Sequence, residues 1–85
     1  MINAVTAIEL EAYRECHGQI EVAHDQGQPV AGYALYLRYE NERGDTLALW
    51  LCDHPDHYWL TRVGNLLATS YHIPLHDYTP HTLAA

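Results

Sequence analysis

The chain contains no lysine. Its four arginines face eleven aspartates and glutamates, giving a formal charge of −7. Residues 1–29 hold five carboxylates and one arginine, residues 30–60 five and two, and residues 61–85 one and one, so the acidity belongs to the first two-thirds. Phosphate backbones repel such a surface and anionic membranes do not attract it, which argues against direct DNA or RNA binding and against membrane adsorption. No apolar run approaches the roughly 18 residues of a membrane span, and no basic-then-apolar export signal opens the chain. Two cysteines, Cys16 and Cys52, are too few for a disulfide framework. Reduced thiols in the cytoplasm are expected, with a Cys16–Cys52 bridge as the alternative. A glycine-rich phosphate loop, a Cys-x-x-Cys pair and an internal repeat are all missing.

What the chain does have is a strong hairpin signal. Tyr33-Ala-Leu-Tyr-Leu-Arg-Tyr39 and Thr46-Leu-Ala-Leu-Trp-Leu-Cys52 flank Asn41-Glu-Arg-Gly-Asp45. Strand side chains alternate between faces, so Tyr33, Leu35, Leu37 and Tyr39 share one side, as do Leu47, Leu49 and Leu51. Pairing Tyr39 with Leu47, Leu37 with Leu49 and Leu35 with Leu51 sets these residues on one core face. Glu42-Arg43-Gly44 is then the loop, with glycine at the left-handed position. The opposite face carries Ala34, Tyr36, Arg38 and Glu40 beside Ala48, Trp50 and Cys52.

Before the hairpin, Val5–Leu10 has the marks of a helix start. Thr6 can cap, Glu9 completes a capping box, Val5 and Leu10 form a hydrophobic staple, and Gly18 offers a stop. The rival is a strand, since Ile8, Leu10 and Ala12 alternate with Glu9 and Glu11. The two end signals favour the helix. Gln19–His24 alternates and is short, predicting a strand, and Asp25–Pro29 is a turn by composition.

After the hairpin, Asp53 or His54 can cap and Pro55 suits the first position of a helix running to about Tyr71. Trp59, Leu60, Val63, Leu66, Leu67 and Tyr71 lie on one side of it, and Pro74 forbids much continuation. Residues 75–85 read as a partly ordered tail on a compact 1–74 domain. The expected fold is α+β: a three-stranded antiparallel meander with an N-terminal and a C-terminal helix, in the order α-β-β-β-α. That order resembles the topology of double-stranded-RNA-binding domains. The second helix opens on Asp53, Asp56 and His57 and holds only Arg62, so the likeness carries no function.

Two clusters bear on function. Cys52, His54 and His57 are zinc-type ligands in one short stretch, with His24, His72, His76 or His81 as candidates for a fourth. Pro74 separates His72 from His76 and spoils a shared helical face. The same stretch also suits a capped strand-to-helix junction, with Cys52 as a small apolar residue. The seven histidines would bring the formal charge to zero if all were protonated, and scattered polar positions explain them without a switch. Glu9 with Glu11, and Glu40 with Glu42, look like solvated carboxylates.

The second cluster is the outer hairpin face. Tyr36, Arg38 and Trp50 are residue types that interface centres favour. Glu40, Glu42 and Asp45 would rim them and steer the surface toward a basic partner. No set of catalytic roles is recognisable. The leading expectation is therefore a non-enzymatic protein-binding module without a cofactor: an inhibitor, an adaptor or a homodimerising subunit. One version is an acidic inhibitor of a nucleic-acid-binding protein, of the DNA-mimic or anti-CRISPR type. A zinc module on Cys52, His54 and His57 is the alternative.

Overall fold

Residues Ile2–Cys16 are extended, not helical. They form β1, the longest strand. The computed structural model describes residues 2–23 and 30–80. In chain order β1 is followed by β2 (Gln19–Val22), β3 (Gly32–Asn41), β4 (Thr46–His54), helix α1 (His57–Tyr71) and β5 (Leu75–Asp77).

The expected three-stranded meander with two flanking helices is thus replaced by a five-stranded sheet with one helix. Its main path runs β2-β1-β3-β4 in antiparallel fashion, and β5 joins the free side of β1 in parallel. The strand β1 stands between β2 and β3, where the meander would have paired those two directly. Among the described residues, no helix is long and apolar enough to cross a membrane.

The reason β1 is a strand lies in its partners. Its ladder with β3 sets Ile8 opposite Leu37, Leu10 opposite Leu35 and Ala12 opposite Tyr33, and all six are buried. Full burial of one such aliphatic side chain stabilises by about 1.5–3 kcal/mol, whereas a helix cap contributes about 1 kcal/mol. The long-range pairing therefore outweighs the capping box. Thr6, the expected cap, sits at a ladder irregularity and donates its hydroxyl to the Arg38 carbonyl (3.2 Å). Gly18, the expected helix stop, instead closes a two-residue hairpin between Cys16 and Gln19. His17 (φ 53°) and Gly18 (φ 78°) both adopt the positive φ of a type I′ turn.

The central hairpin pairs Tyr39 with Leu47, Leu37 with Leu49 and Tyr36 with Trp50, and Gly44 takes φ 83° in its loop. Asn41 organises that loop, its side-chain oxygen accepting from the Arg43 and Asp45 amides (2.9 and 3.0 Å). The expected Leu35–Leu51 pair does not form. A bulge at Leu51 pairs Leu35 with Cys52, and both Leu51 and Cys52 pack against the core. From there on the strand's parity is inverted, as an inserted residue requires.

The helix covers the face of Ile8, Leu10, Leu35 and Leu37 through Leu60, Gly64 and Ala68. Asp56 caps it by accepting from the Tyr58 and Trp59 amides (2.9 and 3.3 Å). His72, left-handed at φ 57°, ends it, with Ile73 N–H reaching Ala68 O at 3.0 Å in a Schellman arrangement. Leu47 and Leu49, expected in the core, are not among the residues packed against it and stay 41% and 44% exposed. Leu75–Asp77, at the start of the expected tail, form β5, and the Tyr78 amide continues its pairing to Leu10 O at 2.9 Å. The Asp25–Pro29 turn, His24 and His81 lie outside the described residues.

Candidate functional site

The face of the sheet turned away from α1 is built by Glu9, Glu11 and Tyr13 of β1, Ala34, Tyr36 and Arg38 of β3, and Ala48, Trp50 and Asp53 of β4. The pairings Glu9–Tyr36, Glu11–Ala34, Tyr13–Val22 and Tyr36–Trp50 place them there, together with Val22 of β2. In a flat sheet β2 and β4 would stand three strand spacings, about 14 Å, apart. Here Ile20, Glu21 and Val22 of β2 line the same hollow as Trp50 and Asp53 of β4, with Tyr13, Ala34 and Tyr36 completing it. The sheet is curled, and this is its concave side.

The hollow measures about 280 Å³. A second, of about 180 Å³, shares Val22 and Tyr36 with it and adds Glu9, Glu11, Arg38 and Ala48. Together they form one groove, aromatic and aliphatic at one end and ionic at the other. A larger hollow, about 340 Å³, is lined only by Arg62, Asn65, Leu66, Thr69 and Ser70 of α1. With one helix for its walls, it is a surface dimple.

The walls of the groove are strongly exposed: Ile20 68%, Trp50 55% and Val22 47%. Tyr13 is placed by glycine. A Cβ at Gly32, its ladder partner, would stand 2.5 Å from the Tyr13 hydroxyl and 2.7 Å from the ring carbon bearing it. The ring thus lies across the bare backbone of Gly32. Burial, with the carboxylates of Asp53 and Glu15 adding to it, raises the pKa of the Tyr13 phenol.

At the ionic end, the Arg38 guanidinium grips Glu9 at two points, Nη2 to Oε1 at 2.6 Å and Nε to Oε2 at 3.1 Å. That hydrogen bonding raises the pKa of Arg38, and the Glu9 charge adds to it. The side chain of Glu9 is only 12% exposed. Where the sequence suggests a solvated carboxylate, the structure holds Glu9 in a two-point pair with Arg38. Among the lining side chains Arg38 is one cation against Glu9, Glu11, Glu21 and Asp53, so the groove is net acidic.

The expected site residues divide. Tyr36, Arg38 and Trp50 share this face. Glu40 shares its parity, opposite Thr46 at the hairpin end. Glu42 and Asp45 belong to the loop, where Asp45 accepts from the Asn41 side chain (3.2 Å), and none of these three lines the groove. The carboxylates that do are Glu9, Glu11, Glu21 and Asp53. Glu9, Glu11 and Tyr13 escape notice in the sequence because a helical 5–18 would scatter them, and Ile20 and Val22, on an expected strand, because the expected meander pairs that strand with β3 and not with β1. The alternation of Glu9 and Glu11 with Ile8, Leu10 and Ala12 was the available signal.

Cys52, His54 and His57 all lie on the helix side, but each is otherwise engaged. Cys52 packs against the core as a free thiol, with its pKa raised by burial and the nearby Asp53. His54 stacks on Trp59 at 4.3 Å, and its Nδ1 accepts from the Asp56 amide (2.9 Å). His57 Nε2 stands 3.0 Å from Asp77 Oδ2 and 3.2 Å from the buried Thr79 hydroxyl, with the Tyr33 ring 5.1 Å away. These contacts tie β5 to the start of α1. Among the described residues, no group of three or more His, Cys, Asp or Glu side chains is arranged to hold a metal. The Cys16 side chain lies outside the described ones.

Comparison with protein families, with curated proteins and with solved structures finds no match. Function must be argued from the groove itself.

Proposed function

We propose that the chain is a binding module for another protein, and that the concave face is where the partner docks. The observation that carries this is the convergence of Ile20 and Val22 from one edge strand and Trp50 from the other over a single groove. Exposed aliphatic and aromatic groups of this size usually mark an interaction surface, and a groove that desolvates an inserted side chain is what binding hot spots require. The net negative charge of the groove favours a partner that brings a large apolar residue flanked by arginine or lysine. The overall charge of −7 speeds approach to such a basic surface. Inhibition of a basic, nucleic-acid-binding protein is one use this chemistry suits.

Selection from a randomised peptide library displayed against the chain tests the proposal. Enriched sequences should carry a large apolar residue between basic ones, and should lose binding to Val22→Asp and to Trp50→Ala. Enriched peptides that bind these two folded variants as well as the parent would move the site elsewhere.

A further inference from the structure

Three cross-strand rows meet at the aromatic end of the groove. In the middle row Glu11 of β1 and Asp53 of β4 stand on either side of Ala34 of β3, two strand spacings or about 10 Å apart before the curl is counted. The row on the hairpin side sets Tyr36 beside Trp50, and the row on the other side lays the Tyr13 ring over Gly32. Ala34, buried and small, keeps the floor low. Aromatic side chains therefore rise at both ends of this floor, and carboxylates at both sides.

Charge decides what such a seat takes. The lining cation, Arg38, lies one row beyond Trp50, opposite Ala48, and is held by Glu9. Glu21 is held by Arg14 at 2.8 Å. Among the described residues Asp53 has no ion-pair partner. Ring faces attract cations, and a carboxylate beside them adds a charge-assisted hydrogen bond. Arginine answers both at once, because its planar guanidinium stacks on a ring while its edge pairs with a carboxylate. Its stem is apolar and packs along aliphatic walls such as Ile20 and Val22.

We infer that this seat takes one arginine side chain of the partner, stacked on Tyr36 and Trp50 and paired with Asp53. The inference rests on the concave face being the docking site and assigns one place within it.

Fluorescence anisotropy of a labelled short peptide, with leucine between two arginines, gives the test. Replacing both arginines by citrulline keeps their shape and removes their charge, and should weaken binding about tenfold or more. Lysine in their place should weaken it about threefold or more, since it cannot stack and pair together. Asp53→Asn should weaken the arginine peptide about tenfold. Glu40→Gln removes the same charge at the hairpin end, off the groove, and should change affinity by less than about twofold. Circular dichroism checks that each variant folds. A citrulline or lysine peptide that binds as tightly as the arginine peptide overturns the inference. So does equal weakening by Asp53→Asn and Glu40→Gln, or an arginine peptide that fails to bind at about 1 mM. In each of these cases the docking face itself stands if library-selected peptides still lose binding to Val22→Asp, and falls with the inference if none does.

Discussion

Arg38 and Glu9 meet in a two-point ion pair diagonally across the β1–β3 ladder, and that pair joins the strand least legible in the sequence to the strand most legible in it. Glu9→Gln keeps the shape and removes the charge, leaving a guanidinium against a neutral amide. Because Arg38 is one-third exposed, solvent softens the loss. We expect destabilisation of about 1–2 kcal/mol, a fall in melting temperature of roughly 5–10 °C for a domain of this size. Thermal denaturation of Glu9→Gln and Arg38→Met checks this.

Gly32→Ala should displace Tyr13 from the backbone it covers, at a cost of about 1–3 kcal/mol, as overpacking usually does. The same change in a Tyr13→Leu background should cost less, because the ring it collides with is gone. Denaturant unfolding of the two single variants and the double variant gives the coupling. Additive effects would mean that the ring does not rest on Gly32.

Tyr33 is buried against His57, and burial, followed by the charges of Asp77 and Asp56, raises the pKa of its phenol; Tyr13 is shifted the same way. A group whose pKa is higher folded than unfolded holds its stabilising contribution below the unfolded value and loses it as pH climbs through the folded one. Stability should therefore fall on the alkaline side of the ordinary tyrosine range. Ultraviolet phenolate titration should show a late-ionising fraction among the seven tyrosines. That fraction should shrink in Tyr33→Phe.

Cys52, with its thiol pushed toward the neutral form, should react slowly with iodoacetamide in the folded chain and quickly in denaturant, since the thiolate is the reactive species. A Cys16→Ser variant makes it the only thiol. With Cys52 packed against the core, His54 on Trp59 and His57 on Asp77, a chelator should leave the melting temperature unchanged. A fall on chelation would show that these groups rearrange around a metal.

The legible parts of the fold were those where one local pattern had one meaning. Tyr33–Cys52 alternates cleanly around Gly44, and Pro74 marks the helix stop. The cap, however, is Asp56 in place of the expected Asp53 or His54, and of the expected stripe Leu60, Val63 and Leu67 meet the core while Trp59, Leu66 and Tyr71 stay exposed. The first strand reads locally as a helix because Thr6, Glu9 and Gly18 satisfy helix-end rules that act over three or four residues. The contacts that decide the matter, Ile8 with Leu37 and Leu10 with Leu35, are separated by more than twenty residues. The bulge at Leu51 left no mark in composition, yet it turned Cys52 inward and Asp53 into the groove. Tyr36 and Trp50 could be found from hairpin register alone. Ile20, Val22 and Glu9 required knowing that β1 is a strand and that the sheet curls.

The most direct test of the concave face as the docking site uses Trp50 itself as the reporter. Trp59→Phe leaves it the only tryptophan, and at dilutions where the chain is monomeric its emission should be that of an exposed indole open to acrylamide. Titration with a peptide carrying a large apolar residue between arginines should shift the emission to shorter wavelength, protect it from quenching and weaken as salt is raised. Binding of that peptide with Trp50 unmoved and still quenchable, or a Trp50 already shielded in the free monomer, would contradict docking on this face.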